Sequence, residues 1–208
     1  MNQLPASTVT PLFRFFLAIL AVAVSWSSPS LAIASPGWTP IIASGDTRVV
    51  YVSSTGSDAN DGLSSATPKA TIAAGYALLR DTYPDWLLLK RGDTWTNPGT
   101  LNNWRKSGRS PTERMVISTY GAGTTRPIIQ VTDSSGFSKG GPASVDYLYV
   151  IGIEFQAYNR SDTNQSSGIS MIGDQKYMHF EDCKVSGFHN AVNINVSGGA
   201  IPYSGHHV

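Results

Sequence analysis

The chain has 208 residues, room for one domain and a short extra segment. Only 14% of them are charged, against about a quarter in typical domains, and the net charge is +1 with no basic stripe, so nucleic acid is not the expected partner. Cys183 is the only cysteine, which excludes an intramolecular disulfide and leaves the compartment to be read from a targeting signal.

Such a signal opens the chain. Arg14 is the only charge before residue 35, and Phe15–Val24 is a run of ten apolar residues. Ser27-Ser-Pro29 then breaks it, and Ala32-Ile-Ala34 has the small-residue pattern of a cleavage site. Residues 1–34 are therefore expected to be an export signal cut after Ala34. The run is too short for a bilayer, which needs about 20 apolar residues, so no membrane span is expected after cleavage. Without Arg14 the basic and acidic residues balance. Residues 35–48, with Pro36, Gly37, Pro40 and Gly45, read as an exposed linker.

Arg48–Val52 has strand character. A turn-rich stretch runs from there to Pro68 and contains Asp58, Asn60 and Asp61. Clustered oxygens of this kind suit a hard cation such as Ca²⁺. The same residues also bond their own backbone in tight turns, and the spacing is not that of an EF-hand. Ala70–Tyr83 carries Ile72, Tyr76 and Leu79 at helical spacing before Pro84 and is expected to be a lid helix. Trp86–Lys90 reads as a buried strand and Arg91-Gly-Asp93 as a turn. Asn97–Pro111 reads as a loop in which Trp104 stands near Arg105, Lys106 and Arg109. Trp104 and Arg105 could stack on a sugar ring and meet its carboxylate, or Trp104 could fold back onto the barrel. Met115–Gly123 and Arg126–Val131 suggest another coil, and Asp133–Ser144 a polar excursion.

From Tyr147 onward the chain nearly repeats itself. Tyr147–Tyr158 lies over Tyr177–Phe188, matching Leu148 with Met178, Val150 with Phe180, Ile153 with Cys183 and Phe155 with Val185. The match resumes as Gly168–Ile172 over Ala191–Asn195 once Ser161–Ser167 is looped out. A period of about 23 residues, with roughly seven inserted in the first copy, is in the solenoid range. Each copy holds short stretches with apolar residues at every second position, and Gly152, Asp182, Ser186-Gly187 and Gly173-Asp174 supply the bends. Three strands and three bends per coil predict an all-β parallel β-helix, with Cys183 as a small buried hydrophobe.

Tyr177–Phe188 resembles a coil of the right-handed, single-stranded parallel β-helix proteins of the pectate-lyase type, with its Asp bend, Cys and Val-Ser-Gly. Tyr51–Gly62, Thr67-Pro68 and Ala70–Ile72 are similar to the entry motif of extracellular members, in which a short helix closes the solenoid's open end. Leu89–Trp95 resembles a phrase found after that motif. The resemblance runs from about Val49 to Val196 and implies an extracellular β-helix and a carbohydrate-related activity. That activity would be lyase or hydrolase action on acidic polysaccharide, or non-catalytic glycan binding or surface structure.

Stacked coils place equivalent residues about 4.8 Å apart, so Glu154 and Lys184 should touch on the outer wall. β-Elimination from a uronate needs a base and a cationic stabiliser, and Lys184 with Glu154 and Asp182 could supply part of that set. An exposed ion pair is the simpler reading. His189 and Arg160 fall just past equivalent bends beside the Ser161–Ser167 segment, where an acid–base group or a sugar contact could sit. His206-His207 shows no metal-binding pattern. About three to four coils are legible, residues 49–208 carry no closing cap, and further coils are expected beyond this stretch.

Overall fold

The computed structural model describes residues 31–33, 37–140, 143–161 and 165–195. The stretch expected to be an export signal (apart from residues 31–33) and the segment after Asn195, with His206 and His207, lie outside the described residues. The elements, in chain order, are β1 (Ala32–Ile33), β2 (Ile41–Ile42), β3 (Val49–Val52), α1 (Ile72–Leu78), β4 (Trp86–Lys90), β5 (Thr94–Thr96), a 3-10 turn at Leu101–Asn103, β6 (Met115–Tyr120), β7 (Ile128–Val131), β8 (Phe137–Ser138), β9 (Val145–Ile151), β10 (Glu154–Ala157), β11 (Ser167–Ile172), β12 (Gln175–Glu181), β13 (Lys184–Ser186) and β14 (Asn190–Asn195).

All strands but the β1–β2 pair form three parallel sheets. The first is β3-β4-β6-β9-β12, the second β5-β7-β10-β13, and the third β8-β11-β14. The chain visits them in turn, so β6 to β14 make three complete turns of a parallel β-solenoid. The register matches the internal repeat. Leu148 pairs with Met178, Val150 with Phe180, Glu154 with Lys184, Ile169 with Val192 and Met171 with Ile194. The insertion is one residue shorter than expected, because Ser167 already belongs to β11, opposite Asn190.

Alternation sends one side chain of every pair inward. Val50, Leu87, Ile117, Val150 and Phe180 from the first sheet meet Trp95, Ile129 and Phe155 from the second and Phe137, Ile169 and Met171 from the third. Aromatic rings run along this interior. Tyr76 of α1 packs on Trp104 at 4.8 Å, Trp104 on Phe137 at 6.4 Å, and Phe137 on Phe155 and Phe180 at 6.4 and 5.4 Å. Phe137 comes from the stretch expected to be a polar excursion. It is fully buried, and β8 starts the third sheet there.

The lid helix forms but is shorter than the apolar spacing suggests. The Thr71 side chain caps it by accepting from Ala74 N at 3.1 Å, and the backbone turns extended at Leu79, well before Pro84. Residues 80–85 impose this early end. Arg80 turns back to the buried Asp85, which accepts from its side chain and from the backbone N–H groups of Arg80 and Arg48. Lys106 covers the helix's free end, donating to the carbonyls of Tyr76 and Leu79 at 2.8 and 2.5 Å. Gly75 lets α1 lie against the first coil, since a Cβ there would sit 2.5 Å from Val52 Cγ2.

Residues 38–48 do not stand free as a linker. They form an arm crossing the outer face of the first sheet, where Ile41 and Ala43 pack on a second apolar cluster of Trp86, Leu88 and Val116. One end of the arm touches the last described coil, with Thr39 N donating to Glu181 at 2.8 Å and Trp38 Nε1 to Asp182 at 3.2 Å. At the other end Asp46 pairs with Arg109. The arm thus links coils distant along the solenoid. Gly152, at φ +75°, makes the bend between β9 and β10 and leaves room for the Trp38 ring. Its counterpart in the next coil, Asp182, takes the same left-handed conformation at φ 49°.

Candidate functional site

The second sheet presents the most regular polar surface. Because Trp95, Ile129, Phe155 and Val185 point inward, the neighbouring positions point out in two rows. One row is Thr94, Ile128, Glu154 and Lys184, and the other Thr96, Gln130, Gln156 and Ser186. In the second row Thr96 Oγ1 donates to Gln130 Oε1 at 3.2 Å, and Gln130 Nε2 donates to Gln156 Oε1 at 2.7 Å. Ser186 Oγ continues the row, buried and without a hydrogen-bond partner among the described residues. In the first row Lys184 Nζ meets Glu154 Oε1 at 2.9 Å. The pair is lopsided, since the Lys184 side chain is 56% exposed and that of Glu154 only 11%. The contact expected from the repeat is thus present, with the acid set into the wall and the ammonium turned to solvent.

The other proposed catalytic groups do not join this pair. Asp182 is held at the bend before β13 by Arg126, whose Nε also donates to the Asp182 carbonyl at 2.9 Å, and by Trp38. His189 is exposed at the bend after β13. Cys183 packs against the core and donates to Val150 O at 3.4 Å, and burial pushes its thiol up to about 11, as suits a packing residue rather than a nucleophile.

The proposed sugar contacts fare unequally. Trp104 is fully buried in the aromatic column, with Nε1 donating to Lys106 O at 2.7 Å, and cannot be a surface platform. The apolar demand of the barrel interior overrides the charged residues around it. Arg105 is exposed and donates to Asn103 Oδ1 at 3.2 Å. Arg160 reaches across the coil to Gly187 O at 3.0 Å and lies over the Phe188 ring at 5.9 Å, tying two coils together.

Asp58, Asn60 and Asp61 share one loop but point at separate partners. Asp58 accepts from the backbone N–H groups of Ala70 and Thr71 and from the Thr71 hydroxyl. The Thr71 N–H, more than any other contact, holds its carboxyl below the usual range. Asn60 Nδ2 donates to Pro68 O at 2.9 Å, and Asp61 accepts from the Thr67 hydroxyl at 2.6 Å. These side chains anchor the entry loop to α1, and Ca²⁺ would have to displace those bonds. Among the described residues no group of three or more His, Cys, Asp or Glu converges on one point.

Sequence reasoning missed the Thr96–Gln130–Gln156 row and Arg126. The glutamines lie in β7 and β10, whose coils differ in length, so no simple repeat aligns them.

No protein-family model matches the chain, and no curated protein matches it. Solved structures do. The native crystal structure of GH136 lacto-N-biosidase from Eubacterium ramulus is similar over 66% of this chain and 26% of that one, at 20% identity and a TM-score of 0.50. A rhamnogalacturonan lyase is similar over 74% of this chain and 63% of that one, at 13% identity and a TM-score of 0.36. The chain therefore spans about a quarter of the length of the lacto-N-biosidase, 26%. The likeness shows the fold: this is a parallel β-helix protein. No helix among the described residues is long and apolar enough to cross a membrane.

Proposed function

We propose that the chain is part of an exported, carbohydrate-active β-helix protein that holds an acidic polysaccharide along the outer face of its second sheet. The observation that carries this reading is the pair of polar rows. They set hydroxyl, amide, carboxylate and ammonium groups in register at the roughly 4.8 Å spacing of stacked strands. A saccharide chain offers hydroxyls and carboxylates at repeated intervals, and a fixed ladder of donors and acceptors meets them with little side-chain ordering. The solvent-facing Lys184 ammonium is the cation that would meet a uronate. The fold shared with a lacto-N-biosidase is consistent with carbohydrate as the substrate class, and the apolar Phe15–Val24 run with export.

A second reading, catalysis by β-elimination or hydrolysis, is favoured by the Glu154–Lys184 contact alone. Incubating the exported protein with polygalacturonate, alginate or glycosaminoglycan, with calcium or with chelator, separates the two. Polysaccharide retention in a gel shift that weakens in Lys184→Ala, with no rise in ultraviolet absorbance, supports binding. A rise from unsaturated uronates that disappears in Lys184→Ala makes the protein a lyase. Neither retention nor a rise with any of these polymers overturns the proposal.

A further inference from the structure

Arg91, in the bend between β4 and β5, has no part in the second-sheet site, yet it borders a cavity. This cavity, of about 400 Å³, lies where the arm crosses the first sheet, and Trp38, Tyr51, Trp86, Leu88, Arg91 and Tyr120 are among the residues lining it. The volume is at the lower end of the range for small-ligand pockets, about 300–1,000 Å³. Leu31 and Ala32 also line it and would leave with the export signal, so the volume is that of the uncleaved chain, and the exported protein would keep a more open groove whose remaining walls belong to the arm and the solenoid.

Two features point to the kind of ligand. The first is the aromatic lining. Trp38, Tyr51 and Tyr120 are half-buried, with Tyr51 set edge-on to Tyr120 at 5.1 Å. Such rings offer apolar surface to the C–H side of a pyranose, and Tyr51 adds a polar tip. The Tyr120 hydroxyl is itself buried, which pushes it up to about 12, so Tyr120 offers the cavity its ring and not its oxygen. The second is the charge balance. Arg80, Arg109 and Arg126, around the same arm, each hold a carboxylate of this chain. Arg91 lies 5.4 Å over the Trp38 ring, and its guanidinium makes no ion pair or hydrogen bond among the described residues. The nearby acid, Asp93, is turned away to accept from Ser53 Oγ and Ser54 N, both at 2.7 Å. A planar fork of donors beside an aromatic face matches a carboxylate carried on a ring.

We propose that this cavity is a second saccharide site, which takes one uronate residue with its ring against Trp38 and the tyrosines and its carboxylate on Arg91. That the ligand is a sugar rests on the carbohydrate reading of the second sheet; that it is acidic rests on Arg91. The site lies on a different face from the Glu154–Lys184 ladder, so a polymer could engage both.

The test is calorimetric titration of the exported protein with a galacturonate trisaccharide and with its methyl ester, which keeps the rings and removes the charge. Arg91→Gln is expected to weaken the acid form about tenfold or more, as loss of a charge-assisted bond implies, and to change the ester little. Arg91→Lys should recover part of the loss, and Trp38→Ala should weaken both ligands. The bend itself is held by the Arg91 backbone N–H donating to Tyr120 O at 2.9 Å, so Arg91→Gln leaves it closed, and the ester, which needs the Trp38 ring but not the charge, reports whether losing the Arg91–Trp38 contact has moved that ring. Equal affinity of Arg91→Gln and the parent for the acid form would overturn the proposal, as would an ester that binds as tightly as the acid. Weakening by Lys184→Ala but not by Arg91→Gln would remove this site and leave the second-sheet reading standing. The reverse pattern would remove the second-sheet reading instead.

Discussion

The outer faces of the first and second sheets differ sharply although the inner faces belong to one core. On the first, Trp86, Leu88 and Val116 point outward and are covered by the arm. On the second, Thr96, Gln130, Gln156, Glu154 and Lys184 point outward, and the Lys184 ammonium reaches solvent. In a solenoid the inward positions carry the stability, because that is where coil meets coil. Outward positions are left to specialise. One face has become an apolar bed for a strap, and the other a polar ladder in register.

Substitutions can sharpen that contrast, and the largest effect belongs to neither face. Trp104→Ala should lower stability by about 3–5 kcal/mol through a cavity in the aromatic column, measured by urea denaturation. If Trp104 were instead a sugar platform, stability would hold and only binding would fall. Next comes the base of the arm's face. Asp85→Asn should cost about 1.5–3 kcal/mol, the range for hydrogen bonds to charged groups. Burial alone would raise the Asp85 carboxyl, but the Arg80 guanidinium and the N–H groups of Arg48 and Arg80 outweigh it and hold it below its ordinary value. With the native value depressed, the contribution is complete above the ordinary carboxylate range near pH 4 and is lost as pH falls through the native value. The stability gap between the parent and Asp85→Asn should therefore be flat from about pH 7 to 5 and narrow below about pH 4. A gap that widens on acidification would contradict the assignment.

Gly152→Ala probes the arm itself. Positive φ costs an alanine about 1 kcal/mol, and the new methyl would run into the Trp38 ring. Limited proteolysis should show faster cutting within residues 37–47, with the β-helix core staying resistant. Unchanged cutting would mean that the arm does not depend on this contact. The smallest stability effect is expected on the ladder. Lys184→Ala removes a pair whose ammonium is more than half exposed and should cost no more than about 1 kcal/mol. Polysaccharide retention should nevertheless fall. A large loss of stability here would make the pair a structural brace and erase the contrast between the faces.

The solenoid was legible in the order of the residues. Period-two alternation, bends at Gly152 and Asp182, and the near-repeat of Leu148–Phe155 in Met178–Val185 are local properties, and strand pairing preserves them residue for residue. For the same reason the Glu154–Lys184 contact was legible, since two residues at equivalent places in adjacent coils must meet. Which side of the wall the irregular segments would join was settled by tertiary packing alone. Trp104 and Phe137 were drawn inside, where their rings pack in one column with Tyr76, Phe155 and Phe180. The arm lay down on Trp86 and Leu88 because those outward residues had no other cover. Asp58 and Asp61 turned to Thr71 and Thr67 because the entry loop closes on itself. The burial of Trp104 and Phe137 and the seat of the arm depend on partners distant in the chain, which no local pattern encodes, whereas the exposed Asp58 and Asp61 bond within and beside their own loop, as the turn reading of the sequence expects.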